Sequence, residues 1–150
     1  MKQRPDLRIE GIDVLVRPQT AIPVTAYDGV RIPFEDDSFD AVMIADVLHH
    51  TGDPQAVLAE AARVAGTVIV KDHLRDGFAA VAILRFMDWV GNAAHGVRLP
   101  YNYLSLSEWK RVWSALGLES EQMATRLSLY PRPFTWLFDR QLHFVAVLRR

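Results

Sequence analysis

Short β-branched apolar runs alternate along the chain with stretches whose apolar residues recur every three or four positions. That alternation predicts strands interleaved with helices. Ile9 to Val16 reads as a strand ending near Asp13, and Ile22 to Ala26 as a second after the connector Arg17-Pro18-Gln19-Thr20. Phe39 to Ala45 is nearly continuous in apolar residues, the pattern of a strand buried on both faces. Asp53-Pro54 opens a helix, with aspartate as N-cap and proline at the first helical position. In it Val57, Leu58, Ala61, Ala62 and Val64 form the apolar stripe while Glu60 and Arg63 face outward, and Gly66 ends it. Thr67 to Val70 is a β-branched strand. Gly77 to Val90 predicts a second helix, firmest over Ala79 to Trp89, followed by a loop from Gly91 to Leu104. Ser105-Leu106-Ser107-Glu108 is a capping box for a helix reaching about Leu116, with Gly117 as its stop. Met123 to Leu129 and Gln141 to Leu148 predict two last strands around the loop Tyr130 to Arg140.

The expected architecture is a mostly parallel α/β sheet with helices on both faces and a C-terminal antiparallel hairpin. The 150 residues suit a single domain over positions 1–150. A net charge of -1 without a basic run gives no support for nucleic-acid binding. The absence of cysteine excludes disulfides, thiolate catalysis and zinc–thiolate sites, and fits a reducing compartment. Met1 to Asp6 lacks the apolar core of a signal peptide, and no apolar run reaches the ~20 residues of a membrane helix. A cytoplasmic protein without a membrane partner is the expectation.

The motifs narrow this further. A strand ending in Asp28-Gly29 is followed by Ile32-Pro33-Phe34, then Ser38-Phe39-Asp40 and the next strand. Ala45-Asp46-Val47-Leu48-His49-His50-Thr51-Gly52-Asp53-Pro54 follows, and then a helix ending Glu60-Ala61-Ala62-Arg63-Val64. This succession resembles the class I S-adenosylmethionine (SAM)-dependent methyltransferases of the type 11 kind, closely from roughly Ile9 to His73 and loosely beyond. The resemblance implies a Rossmann-like methyltransferase sheet whose last strand runs antiparallel. It also exposes a departure. The family opens on a strand, a Gly-rich Glu/Asp-x-Gly-x-Gly loop that receives the methionine end of the cofactor, and a helix. None of these occurs here, so the first strand is missing, and the chain reads as N-terminally truncated relative to the family. By the family's topology that strand is central, between Ile9 to Val16 and Phe39 to Ala45. Those two edges must meet each other, pair with another chain, or await a segment absent from a truncated form. The connector after Asp13 is also too short for the usual helix.

The resemblance assigns site residues position by position. Asp13, with Val14, matches the acidic strand end that accepts both ribose hydroxyls, as a carboxylate can from a vicinal diol; otherwise it is a solvent-facing strand residue. Asp28-Gly29 matches the pair that reads adenine, although Asp-Gly alone is only a turn signal. Ala45-Asp46 matches the segment lining the methionine moiety, while Asp46 has the alternative of capping a turn. His49 and His50 are candidates to orient substrate or shuttle a proton, or are structural histidines packed before the helix. No metal site is expected, because adjacent histidines in a strand-like stretch point apart. Asp72-His73, just past a strand, lies either at the reactive edge or in a strand-end turn. The aromatic segment Phe86 to Tyr103, including Tyr101, Asn102 and Tyr103, is expected to build a substrate lid; alternatively it is a packed surface loop. The apolar helix Ala79 to Trp89 is an alternative dimer face.

The function implied is SAM-dependent methyl transfer to a small molecule, or a fragment of such an enzyme, with SAM bound weakly or not at all by this chain. The alternative is a non-catalytic remnant acting in assembly. A homo-oligomer is expected in either case, because of the unpaired strand edges.

Overall fold

The computed structural model describes residues 6–92, 99–134, 138 and 140–150. Six strands form two sheets. β1 (Gly11–Asp13) pairs in parallel with β2 (Val24–Ala26), and Asp13 stands opposite Ala26. The second sheet has the order β3-β4-β6-β5, with β3 (Val42–Ala45), β4 (Thr67–His73), β5 (Glu119–Ala124) and β6 (His143–Arg149). β3 and β4 are parallel neighbours, while β6 runs antiparallel to both β4 and β5. The C-terminal hairpin and the parallel pair therefore stand as the patterning predicts.

The edges of β1 and β3 do not meet. Each sheet ends there, so direct closure across the missing strand is not the solution this chain adopts among the described residues. The two sheets nevertheless share a core, because Ile12, Tyr27, Phe34, Phe39 and Val42 pack against the cluster built on Ile44, Leu58, Val64, Val68 and Val70.

Helix α1 (Pro54–Val64) crosses between β3 and β4, its N-cap Asp53 accepting from the Ala56 N–H. Its outer residues are not merely solvated, contrary to expectation. Arg63 donates to the carbonyls of Ile32 and Phe34 and to Glu60 and Asp36, while Glu60 accepts from the Ile32 N–H. Together they clamp the irregular segment after β2 onto the helix, since those backbone groups have no ladder partner of their own.

Helix α2 (Ala80–Asn92) runs two residues further than the apolar pattern indicates, and helix α3 (Leu106–Ala115) follows. The indole rings of Trp109 and Trp113 pack on Phe144 of β6, with ring centroids 5.5 and 5.8 Å away. Gly117, at φ +67, ends α3 in the left-handed region, and the Leu118 N–H reaches back to the Trp113 carbonyl.

Boundaries and burial differ from expectation at several points. β1 is only three residues long, and β5 starts at Glu119 rather than Met123. β5 is a mostly exposed edge strand made of Glu-Ser-Glu-Gln, so it carries no apolar alternation to read. β3 is not buried on both faces: Met43 is 72% exposed, because no described element covers that face. Residues 93–98 of the expected lid lie outside the described residues.

The capping box of α3 is formed in both directions. The Ser105 hydroxyl accepts from the Glu108 N–H and the Glu108 carboxylate accepts from the Ser105 N–H, while Arg75 adds an ion pair at 2.5 Å. The hydrogen bonds from Ser105 and the pairing with Arg75 outweigh the small desolvation and lower the Glu108 pKa to about 2. We predict that Ser105→Ala costs about 1 kcal/mol in urea unfolding. A depressed carboxylate contributes stability above its unfolded pKa, and that contribution fades as pH falls from the ordinary glutamate range towards 2. Glu108→Gln should therefore flatten this part of the acid limb of a melting-temperature profile; an unchanged limb would contradict the assignment.

Candidate functional site

The carboxyl end of β4 is where sequence and structure converge. Asp72 and His73 lie within β4, not beyond it, and both are buried. β3 ends beside them, and the chain then turns through Asp46 at φ +54, a left-handed conformation that aspartate tolerates better than most residues. The Asp46 N–H donates to the Lys71 carbonyl, and the Lys71 ammonium sits 2.5 Å from both carboxylate oxygens of Asp46. Asp46 thus pairs with Lys71 and does not cap the following turn.

That turn, Leu48–His50, is a single 3-10 turn, and it overturns the expectation that His49 and His50 point apart. In a strand, consecutive side chains alternate; in a 3-10 turn they do not. The two rings lie with centroids 4.0 Å apart, and the His73 ring stands edge-on to His49 at 4.4 Å. All three candidate histidines are therefore brought together.

Asp72 organises them. Its Oδ1 accepts from His49 Nδ1 at 2.6 Å and from the His73 N–H at 2.7 Å, and its Oδ2 accepts from the Leu48 N–H at 3.0 Å. Burial opposes its ionisation, yet the hydrogen bonds from His49 and His73 hold its pKa below the usual carboxylate range. A second carboxylate, Asp88, projects from α2 and is also buried. Its Oδ2 accepts from the Tyr103 hydroxyl at 2.5 Å and lies 3.4 Å from His49 Nε2. Burial and Asp88 push the Tyr103 hydroxyl pKa up. Burial also disfavours a charged His49, but the bond to Asp72 and the pairing with Asp88 prevail and raise its pKa to about 9. The His50 pKa is lowered by burial and by its charged neighbour.

The cluster opens onto a cavity of about 250 Å³ whose lining includes Asp46, His50, Lys71, His73 and Asn92. Of the expected lid residues, Asn102 hydrogen-bonds the backbone of His49 and Thr51, Tyr101 stacks under the Arg85 guanidinium, and Tyr103 is buried against Asp88. Only Tyr103 joins the cluster; the other two brace it.

Asp13 and Asp28 stand together at the other sheet, at the carboxyl ends of the parallel strands β1 and β2. Each folds its own loop: Asp13 accepts from the Leu15 N–H, and Asp28 from the Val30 and Arg31 N–H groups. Those two backbone bonds lower the Asp28 pKa. Gly29, at φ +81, makes the tight turn, and a Cβ there would lie 3.2 Å from Val14. Asp13 and Asp28 both face Tyr27, whose hydroxyl pKa rises through burial and their charge.

Asp88 and the partnership of Asp72 with His49 are absent from the sequence-derived set of site residues. The only available signal was an acidic residue on the inner stripe of an otherwise apolar helix.

The fold is that of the class I SAM-dependent methyltransferases. An S-adenosylmethionine-dependent methyltransferase from Mesorhizobium loti superposes with a TM-score of 0.64 at 15% identity, over 94% of this chain and 79% of that one. The methyltransferase solved in complex with the Haloferax volcanii Trm112 methyltransferase activator also gives 0.64, at 18% identity, over 93% and 70% of the two chains. In sequence, residues 10–67 match the methyltransferase domain family. It is 33% identical over 112 residues to the demethylmenaquinone methyltransferase of Mycolicibacterium paratuberculosis, covering 69% of this chain and 48% of that protein. The ubiquinone/menaquinone biosynthesis C-methyltransferase UbiE of Cupriavidus metallidurans is 32% identical over 105 residues, covering 65% and 43%. The chain spans about half the length of these relatives.

Removing the Asp72 carboxylate would strand a buried imidazolium and two backbone donors. We predict that Asp72→Ala lowers the unfolding free energy by about 3–5 kcal/mol, and Asp72→Asn by less because its amide oxygen still accepts from one of the two backbone donors. A loss in Asp72→Ala within the range of ordinary surface substitutions would show that the carboxylate does not organise the site.

Proposed function

We propose that this chain forms part of a SAM-dependent methyltransferase acting on a small hydroxylated acceptor, a quinol-like molecule by analogy with its relatives. The observation that carries the reading is the family match over residues 10–67 combined with the joint position of Asp13 and Asp28 at one strand edge.

When bound, SAM supplies a methyl group already activated on a sulfonium. In this reading Asp13, with Val14 beside it, accepts from the ribose hydroxyls, Asp28 and Gly29 meet the adenine, and Ala45 and Asp46 flank the methionine moiety. The adenosine half of the cofactor fits these groups. The Gly-rich loop that would receive the methionine end is absent from the sequence, so this chain alone holds SAM weakly. The acceptor occupies the cavity beside β4, where His50 and His73 orient its hydroxyl and Tyr103 acts through its bond to Asp88; the protein acts chiefly through proximity and orientation. Met87 in the same lining offers an apolar surface to the hydrocarbon body of the acceptor.

The unpaired edges of β1 and β3 support association, either with a second copy or with a chain that supplies the missing strand, since exposed backbone edges favour pairing. A cytoplasmic location accords with an apolar content too dispersed to build a membrane helix; no described helix is long and apolar enough to cross a membrane. A non-catalytic role in assembly is the competing reading, and it predicts no response to SAM.

The test is an amide-shift titration of the 150-residue chain with SAM at millimolar concentration. Shifts should cluster at Asp13 to Leu15, Asp28 to Val30 and Ala45 to Val47, and vanish in Asp28→Ala. No shift, or shifts elsewhere, would reject the cofactor assignment. Light scattering of the same sample should report a dimer or larger; a stable monomer at tens of micromolar would reject self-association.

A further inference from the structure

The buried cluster leaves two imidazole nitrogens without hydrogen-bond partners among the described residues: Nε2 of His49 and Nδ1 of His50. Orphaned buried nitrogens are uncommon, because each forfeits its interaction with water. Here they are not scattered. One potential ligand atom from each of His49, His50 and Asp88 lies within 4.8 Å of the other two. The separation between His49 Nε2 and Asp88 Oδ2 is 3.4 Å, too long for a good N–H···O bond. It matches the edge of about 3.4 Å that a tetrahedron with metal bonds of about 2.0–2.1 Å would have.

The surroundings point the same way. An ionised Asp72 can only accept, so His49 Nδ1 carries the proton in their 2.6 Å bond. The second ring proton, on Nε2 beside Asp88, is the one a metal ion would displace to take up that nitrogen's lone pair. A histidine that donates its other ring N–H to a carboxylate is the usual outer shell of a metal-bound imidazole. Asp88 is oriented in the same manner by the Tyr103 hydroxyl. The neighbouring trio of His49, Asp72 and His73 is the poorer candidate, because Asp72 is already engaged by His49 and by the backbone of Leu48 and His73.

We propose that His49, through Nε2, together with a ring nitrogen of His50 and the carboxylate of Asp88, forms a binding site for a divalent transition metal, zinc in the first instance. Two histidines and one carboxylate suit zinc or iron(II) and leave at least one coordination position open. That position faces the cavity lined by His50, Asp88, Asn92 and His73. An oxygen donor from the small molecule in the cavity completes the shell, so the substrate class is one with a hydroxyl or enol oxygen that a Lewis acid would help to ionise. This last step rests on the methyl-transfer reading; the metal site itself does not.

The 150-residue chain, stripped with chelator, is titrated with zinc against a chromophoric competitor, and with cobalt(II) monitored by visible absorption. One equivalent of zinc is expected, with the intense bands of four- or five-coordinate cobalt. His50→Ala and Asp88→Asn should each weaken zinc by more than tenfold, and Asp72→Asn by about 10–100-fold through the outer shell. Melting curves verify that each variant is folded, and the cobalt spectrum of the unaltered chain stands independently of them. No stoichiometric zinc, a weak six-coordinate cobalt spectrum, or wild-type affinity in folded His50→Ala or Asp88→Asn would overturn the site. SAM titration of the zinc-free chain keeps the two ideas apart: zinc binding without SAM-induced shifts rejects methyl transfer and leaves the metal site standing.

Discussion

One buried carboxylate holds the reactive end of this molecule together. Asp72 sits at the carboxyl end of β4 with no exposure to solvent, and its oxygens bond both the 3-10 turn after β3 and the backbone of its own strand. Without it the turn Leu48–His50 would lose its anchor, and His49 Nδ1 would keep only the His73 ring nitrogen, 3.2 Å away. A buried charge is tolerated only when it is well hydrogen-bonded. The local structure, a tight turn presenting the Leu48 N–H and the His49 imidazole to a carboxylate that also takes the His73 N–H of its own strand, follows from that requirement.

The same logic extends outward in shells. Asp72 orients His49, His49 faces Asp88, and Asp88 is held by Tyr103, so β4, the turn after β3, α2 and the segment before α3 are tied by one polar chain through an apolar interior. In a low-dielectric setting such chains are strong when complete and costly when interrupted. The two orphan imidazole nitrogens are the point at which this one is interrupted, and the metal ion proposed above would complete it. On the other sheet, Asp13 and Asp28 are exposed and shape their own loops. The β4 cluster, by contrast, is buried, and its carboxylates tie together side chains and backbone from several elements.

Those two regions belong to separate sheets joined through a shared core, with the edges of β1 and β3 unpaired among the described residues. The Glu60–Arg63 clamp on the irregular segment after β2 supplies hydrogen bonds that a continuous sheet would otherwise provide through its ladder. The fold is that of the class I methyltransferases, and residues 10–67 match the methyltransferase domain family.

By itself the sequence determined the elements whose stability is local: the capping box at Ser105–Glu108, the Asp53-Pro54 helix start, the Gly117 stop and the β-branched strand from Thr67. It also determined the order of motifs that marks the family, and the placement of Asp13 and Asp28 at strand ends, because parallel pairing needs only the two runs and their polarity. Tertiary structure alone decided the rest. The polar edge strand β5 has no apolar period, so only its partner β6 defines it. His49 and His50 share a site because the chain between β3 and α1 coils into a 3-10 turn, a conformation stabilised from outside by Asp72. Asp88 reads as an ordinary acidic residue in a helix until packing turns it inward. The contacts that make the site span 23 residues between His49 and Asp72 and 15 between Asp88 and Tyr103. At such separations no local pattern records a partnership; it exists only once the core has brought the strands and helices into register.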